Sequence, residues 1–244
     1  MSRWKAAGLH LGVSLIIATF VASVIYFLWY PPPYFQVAGG INLILLVMSV
    51  DVVLGPCLTL AVFRAGKRGL KFDLATIALL QTVAFCYGIY VVAAARPVFL
   101  VAVVDRFVPV SAADLDPADL AKAEPEYSTL SWAGPRLVGV VVPKKGTFEL
   151  VTSAAAGKDV EKMPDLYTAY ENVMDGLIAH AKPIDDLLKK NPGAETAISK
   201  FVAMHDEQRE DVVYVPLQGK LESFAMALSK KTKRPIGALP LEPW

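Results

Sequence analysis

Apolar residues crowd the first 95 positions in three runs, Ala6–Tyr30, Val37–Phe63 and Phe72–Ala95, separated by short proline-rich or basic stretches. At about 1.5 Å per helical residue each run is long enough to cross a hydrocarbon layer of about 30 Å. The pattern predicts a three-helix transmembrane domain over 1–95, with helices at about 6–30, 37–63 and 72–95. Beyond Arg96 the pattern becomes that of a water-facing domain over 96–244. β-Branched and aromatic runs predict strands at Pro97–Val104, Arg136–Val142 (closed by Pro143), Val212–Leu217, Leu221–Leu228 and Pro235–Leu239. Helical spacing and caps predict helices at Ser111–Ala123, Thr147–Ala156, Tyr167–Ala181, Ile184–Lys190 and Ala194–Asp206, the first carrying Asp116 as N-cap and Pro117 at its first helical position. The expected fold class is therefore a membrane protein: three transmembrane α-helices followed by an α+β extracytoplasmic domain with a mainly antiparallel sheet.

The junctions orient the helices. Arg3 and Lys5 precede the first run, and Arg64, Lys67, Arg68 and Lys71 lie between the second and third, whereas Pro31–Gln36 carries no charge. Basic loops stay cytoplasmic, so the N-terminus and the Arg64–Lys71 loop are expected in the cytoplasm and everything after Arg96 on the opposite side of the membrane. The first run is too long for a cleaved signal peptide and lacks a small-x-small site before a polar stretch, so it is expected to be retained. Trp29, Tyr30, Tyr34 and Phe35 around Pro31–Pro33 read as an interfacial aromatic belt.

Composition adds the asymmetry of charge. Residues 1–95 hold six basic and two acidic side chains, a net of +4, while residues 96–244 hold 18 basic and 21 acidic, a net of −3. A slightly acidic outer domain argues against a nucleic-acid partner. Cys57 and Cys86 both lie in apolar runs, which leaves neither a disulfide framework nor a CxxC redox motif.

Candidate chemistry concentrates in the second run, where Asp51 stands alone near the middle and Gly55-Pro56 follows one turn later. An ionisable group at that depth needs a partner, water or a proton. Gln81 and Thr82 reach a similar depth on the third helix and are the structural polar partners available within the chain. The alternative is a partner outside it, with the Gly55-Pro56 kink and the small residues Gly39, Gly40 and Ser49 letting another helix approach. Catalytic constellations are absent by pattern. Intramembrane aspartyl chemistry needs two close carboxylates, and Asp73 sits at the cytoplasmic end of helix three, roughly 18 Å from the depth of Asp51. His10 and Ser14 share a helix face but have no third orienting group, and read as an interfacial histidine beside a packing serine. His180 and His205 end predicted helices, and the acidic residues around His205 lack metal-ligand spacing, so no metal and no cofactor is expected. There is no phosphate loop and no GxSxG elbow. Among the outer aromatics Tyr127, Trp132, Tyr167, Tyr170, Tyr214 and Trp244, most are expected in the core.

Six ordered stretches then carry a resemblance: SRWKAAGLHLGVSL (Ser2–Leu15), YPPPYF (Tyr30–Phe35), DVVLGPCLTL (Asp51–Leu60), GLKFDLATIALLQ (Gly69–Gln81), YGIYVVAAARPVFLVAVVDRF (Tyr87–Phe107) and the closing Glu242-Pro243-Trp244. The chain resembles the type IV pilin accessory protein family, of the TfpX/TfpZ type, over nearly its whole length, departing at the basic turn Ser229–Arg234. The resemblance implies an inner-membrane protein that binds and stabilises a type IV pilin, both membrane helix and globular head, and supports its assembly into pili, with no catalytic residues. The clients of such a family carry a free amine and a buried glutamate near the start of their membrane helix. Asp51, Gly55, Pro56, Gly39 and Gly40 are thus the candidate client-binding residues. The competing readings are a membrane-anchored sensor or an intramembrane enzyme with a ligand-binding periplasmic domain.

Overall fold

The computed structural model describes residues 2–142 and 159–244, and these divide into two compact units. One comprises residues up to Phe35 together with Gly39–Ala95; the other comprises Arg96–Trp244 with the short Gln36–Ala38 segment.

The first unit is three helices long and apolar enough to cross a membrane: Arg3–Trp29, Gly40–Val62 and Leu70–Ala94. The first span is α1 (Arg3–Ser23) continued by a π-helical stretch, Val24–Trp29. Ser2 caps it, its hydroxyl accepting from the Lys5 amide at 3.3 Å. A turn at Pro31–Pro33, with a cis Pro32–Pro33 bond, and α2 (Tyr34–Val37) lead to the second span. Gly39, at φ +65°, caps that span, which begins at Gly40, three residues later than the apolar pattern predicts, because the left-handed backbone there cannot belong to the helix. The second span runs through α3 (Gly40–Ser49), a π-turn (Val50–Leu54) and α4 (Gly55–Val62). The third span is α5 (Leu70–Ala94), which starts after Gly69 at φ +83°. Large apolar side chains face outward on all three, Ile16 73% and Phe72 76% exposed among them. That is the inverse of a water-soluble surface and suits lipid.

The aromatic belt needs one correction. Tyr30 is fully buried and its hydroxyl donates to the Val92 carbonyl at 2.9 Å, tying the end of the first span to the third. A phenol in hydrocarbon finds its acceptor on a neighbouring helix rather than at the surface.

The second unit is an eight-stranded sheet with short helices: β1 (Pro97–Val103), β2 (Arg106–Ser111), β3 (Arg136–Val140), β4 (Tyr167–Thr168), β5 (Lys182–Pro183), β6 (Val212–Gln218), β7 (Ser223–Ser229) and β8 (Pro235–Leu239). Their order is β4-β3-β1-β2-β6-β7-β8, with β5 also pairing β6. Among the described residues five pairings are antiparallel, while β1–β3 and β2–β6 are parallel, so the sheet is mixed, with antiparallel pairings in the majority. Every residue of β1 is buried, which explains its unbroken apolar run. Gly139 sits in β3 because Val173 lies against its Cα: a Cβ there would come within 2.4 Å of that stiff side chain. Two cores result. Phe99, Val101, Val138, Tyr127 and Tyr167 fill one, and Ile184, Leu187, Ile198, Val202, Tyr214 and Ala227 fill the other.

Helices in this unit are shorter than the pattern predicts. Ser111–Ala123 is a 3-10 turn (Ala112–Asp114), closed by a Ser111/Asp114 capping box, then α6 (Pro117–Leu120). The Asp116 carboxylate does cap α6, accepting from the Ala118 amide at 2.8 Å. Tyr167–Ala181 divides into β4, a 3-10 turn (Tyr170–Asn172) and α7 (Met174–His180). Its two tyrosines are committed to the core: Tyr167 donates to the Glu161 carbonyl at 2.5 Å and Tyr170 to the Lys233 carbonyl at 2.6 Å. The predicted Ile184–Lys190 helix becomes a 3-10 turn (Ile184–Asp186) and α8 (Leu187–Lys190), and the last is α9 (Glu195–Met204). β2 has no counterpart in the sequence reading, since Pro109 weakens it as a strand. It is joined to β6 only at Phe107 and so tolerates a residue without an N–H. The predicted Thr147–Ala156 helix and Pro143 lie outside the described residues.

Candidate functional site

Polar side chains from all three spans meet inside the membrane unit. Asp51 belongs to the π-turn Val50–Leu54, whose closing bond runs from the Gly55 amide to the Val50 carbonyl. The wide turn answers to Pro56, which has no N–H and whose ring crowds the carbonyl four residues earlier in a regular helix. The expected proline kink is thus a π-bulge one turn earlier, and the bulge presents Asp51.

Asp51 accepts a hydrogen bond from the Gln81 amide, Nε2 to Oδ1 at 3.3 Å. Gln81 is buried, and its Oε1 has no hydrogen-bond partner among the described residues. Thr82 lines the same space, but its hydroxyl donates to the Ala78 carbonyl of its own helix at 2.9 Å. Of the two polar partners proposed from sequence, Gln81 reaches Asp51 directly and Thr82 does not.

Gly55 is the floor on which these groups rest. A Cβ there would fall 2.1 Å from Gln81 Nε2 and 2.9 Å from His10 Nε2. His10 is bonded in turn to Thr59, Nδ1 to Oγ1 at 2.6 Å, and both Thr59 and Ser14 are buried. The face of Gly55 is therefore occupied within the chain. Gly40 is occupied likewise, lying under the Phe35 ring, and Gly39 serves the helix start. His10, read from sequence as an interfacial residue, is a member of the cluster. Thr59 was missed altogether. The available signal was its spacing, four residues after Gly55 and so on the same helical face. Asp73 forms no pair with Asp51; it bonds Lys67 at 2.5 Å near the start of the third span.

His10, Val13, Ser14, Ile17, Asp51, Ala78, Gln81, Thr82 and Phe85 line a cleft of about 300 Å³. Residue count places it near the middle of the spans: Gln81 is about 17 Å from the start of α5 at the helical rise. An isolated carboxylate at that depth costs roughly 2.5–3.5 kcal/mol on insertion scales, and a neutral amide offsets only part of it. Chemically, the arrangement is an acceptor-rich recess bordered by one hydroxyl–imidazole contact, Thr59 with His10. On another side of the first span an apolar groove of about 640 Å³ runs between Ala18, Ala22, Tyr26, Leu45, Ser49 and Val53.

His180 and His205 each bond a carbonyl of their own helix, those of Gly176 and Phe201, at 2.8 Å. Among the described residues no three His, Cys, Asp or Glu side chains converge as metal ligands. Tyr127, Tyr167, Tyr170 and Tyr214 are core; Trp132 and Trp244 are exposed, Trp132 under the Arg96 guanidinium at 4.3 Å. Burial pushes the Tyr170 phenol up to about 12. Burial also acts to raise Asp114, but the Lys220 ammonium bonded to it outweighs this and holds the carboxyl below its ordinary range. Arg209 clamps Glu195 and Asp185, and its hydrogen bonds hold Glu195 down at about 2.

Comparison with known proteins supplies what this geometry leaves open. The family model described as fimbrial assembly protein FimB matches residues 1–39. A fimbrial assembly protein of serogroup I from Dichelobacter nodosus is 32% identical over 219 residues, spanning 87% of this chain and 85% of the relative. The serogroup E1 protein of the same organism is 31% identical over the same extent, and that of serogroups C1 and C2 is 38% identical over 114 residues, 46% of this chain and 86% of the relative. No solved structure matches. By the length and level of these matches, and in agreement with the resemblance its motifs carry to type IV pilin accessory proteins, the chain belongs to the fimbrial assembly protein family.

Proposed function

We propose that this protein is a membrane chaperone dedicated to a type IV pilin, acting by binding rather than by catalysis. A role in pilus assembly comes with the family. The observation that carries the finer reading is the extent of the match, 87% of the chain, which takes in both the apolar spans and the sheet unit. A pilin waiting in the membrane is one long apolar helix with a globular head outside. A client of that shape calls for a membrane surface that binds a helix and a folded outer domain, and three apolar spans followed by a sheet unit support that reading. Basic residues at Arg3, Lys5 and in the Arg64–Lys71 loop support a cytoplasmic N-terminus; on this reading the sheet unit is periplasmic, on the side of the client's head.

Deleting the gene tests this. The pilin is expected to fall several-fold in the membrane and surface pili to disappear, with recovery on expression of the chain in trans. Unchanged pilin levels and unchanged piliation in the deletion strain overturn the reading. Alkaline phosphatase fused after Ala123 is expected to be active and after Lys67 inactive; the reverse pattern overturns the orientation.

A further inference from the structure

The cleft at Asp51 has acceptors to spare and few donors. The Gln81 amide nitrogen serves Asp51, the Thr82 hydroxyl serves its own helix, and His10 Nδ1 and Thr59 Oγ1 serve each other, leaving His10 Nε2 at the face of Gly55. Against these stand, among the described residues, Gln81 Oε1, without a partner in a side chain more than nine-tenths buried, and a carboxylate whose one hydrogen-bond partner is a neutral amide. His10 and Asp51 are the titratable groups lining the recess. Buried acceptors of this kind are costly unless a donor arrives, and a carboxylate in hydrocarbon calls for positive charge as well.

We propose that this cleft, between the first and third spans, binds a primary ammonium group carried on a second transmembrane helix, with Asp51 and the Gln81 carbonyl as its two acceptors. The proposal rests on the reading of the chain as a binder of a membrane-helix client, and names the group that helix presents. An ammonium brings three donors and one charge to a site with two free acceptors. A guanidinium brings five donors in a rigid fork and would leave more of them unmet. Lipid headgroups carry amines too, but they are held at the bilayer surface. Gln81 lies about 17 Å down its helix, so the donor has to be delivered at depth by a helix. The rival arrangement is a closed neutral pair, with a protonated Asp51 donating back to Gln81 Oε1. That pair needs two reciprocal bonds, and the side chains make one, at 3.3 Å.

The test uses the full chain in phosphatidylcholine vesicles and a bilayer-spanning Leu/Ala peptide with one central lysine, compared with the same peptide carrying norleucine there. Binding is read by energy transfer between labels on peptide and chain. Wild type is expected to hold the lysine peptide about tenfold more tightly than the norleucine peptide, the value of one good charge-assisted contact. The preference is expected to shrink to within about twofold in Asp51→Asn and to fall by a few-fold in Gln81→Leu. Equal binding of the two peptides by wild type overturns the proposal, whether or not the variants accumulate, and so does a preference undiminished in Asp51→Asn. Replacing part of the lipid with phosphatidylethanolamine is expected to leave lysine-peptide binding unchanged; competition by that lipid overturns the helix-borne source. Pilin capture measured alongside separates the two readings. Lysine preference without pilin capture upholds the site and removes the client, whereas pilin capture without lysine preference upholds the chaperone and removes the site.

Discussion

The two units of this protein solve opposite problems with the same side chains. In the sheet unit apolar residues go inside and charges lie at the surface in pairs, such as Lys220–Asp114, Lys233–Asp175 and Arg209–Asp185. In the membrane unit the large apolar residues face outward, and His10, Thr59, Gln81 and Asp51 are gathered between the helices. Burial of apolar area drives the first arrangement and is unavailable to the second, because lipid is as apolar as leucine. The spans must instead find each other through close approach at Gly55 and Gly88, through the Tyr30–Val92 hydrogen bond, and through the polar cluster. What distinguishes partners should differ accordingly: shape and surface polarity outside the bilayer, one or two polar contacts within it.

That contrast can be broken most visibly by exchange. Replacing Pro97–Trp244 with the same region of a family member serving a different pilin is expected to switch client preference nearly completely, read as which of two co-expressed pilins is retained. Preference that stays with the spans would reverse the division of labour. A smaller effect comes from filling the floor of the polar cluster. Gly55→Leu forces the Gln81 amide away from Asp51 against His10 on the other side, and is expected to destabilise the membrane unit by about 1–3 kcal/mol in detergent unfolding. Wild-type stability in that variant would mean that the spans do not approach at Gly55.

In the sheet unit, Tyr170→Phe removes the hydroxyl that donates to the Lys233 carbonyl and leaves that acceptor without it. The expected cost is about 0.5–1.5 kcal/mol, measured as a shift of the unfolding midpoint of the full chain. The smallest effect is at the surface. Glu195 is held at about 2 by Arg209, against an ordinary 4.5, so the folded form carries the depressed value. Its contribution is fully present above about pH 4.5 and is lost as pH falls through about 2. The stability difference between wild type and Glu195→Gln is therefore expected to be small at pH 6, smaller in high salt, and to vanish towards pH 2. A difference that grows on acidification would contradict the pairing.

What could be read from the sequence followed the strength of the physical signal. The three spans, the strands at Val212–Leu217 and Pro235–Leu239, the Asp116 cap, and the shared depth of Gln81 and Asp51 rest on length, β-branching, capping chemistry and residue count. Each is local or nearly so. β2 and the short turns between Tyr167 and His180 depend on tertiary placement of Phe107, Tyr167 and Tyr170, for which one-dimensional spacing carries no mark. Pro56 announces a break in the regular helix, and the break takes the form of a π-bulge, a form that depends on what the neighbouring helices allow. His10 and Thr59 are 49 positions apart, and nothing in either segment announces the other.

The central claim is that this chain holds a type IV pilin in the membrane, and retention of that pilin tests it most directly. Full-length tagged protein is to be solubilised in mild detergent from cells making the cognate pilin, with and without crosslinking before lysis. The account predicts that the pilin co-purifies in near-constant ratio to the chain and that an unrelated single-span protein of similar abundance does not. Absence of pilin from both the pull-down and the crosslinked sample would contradict it.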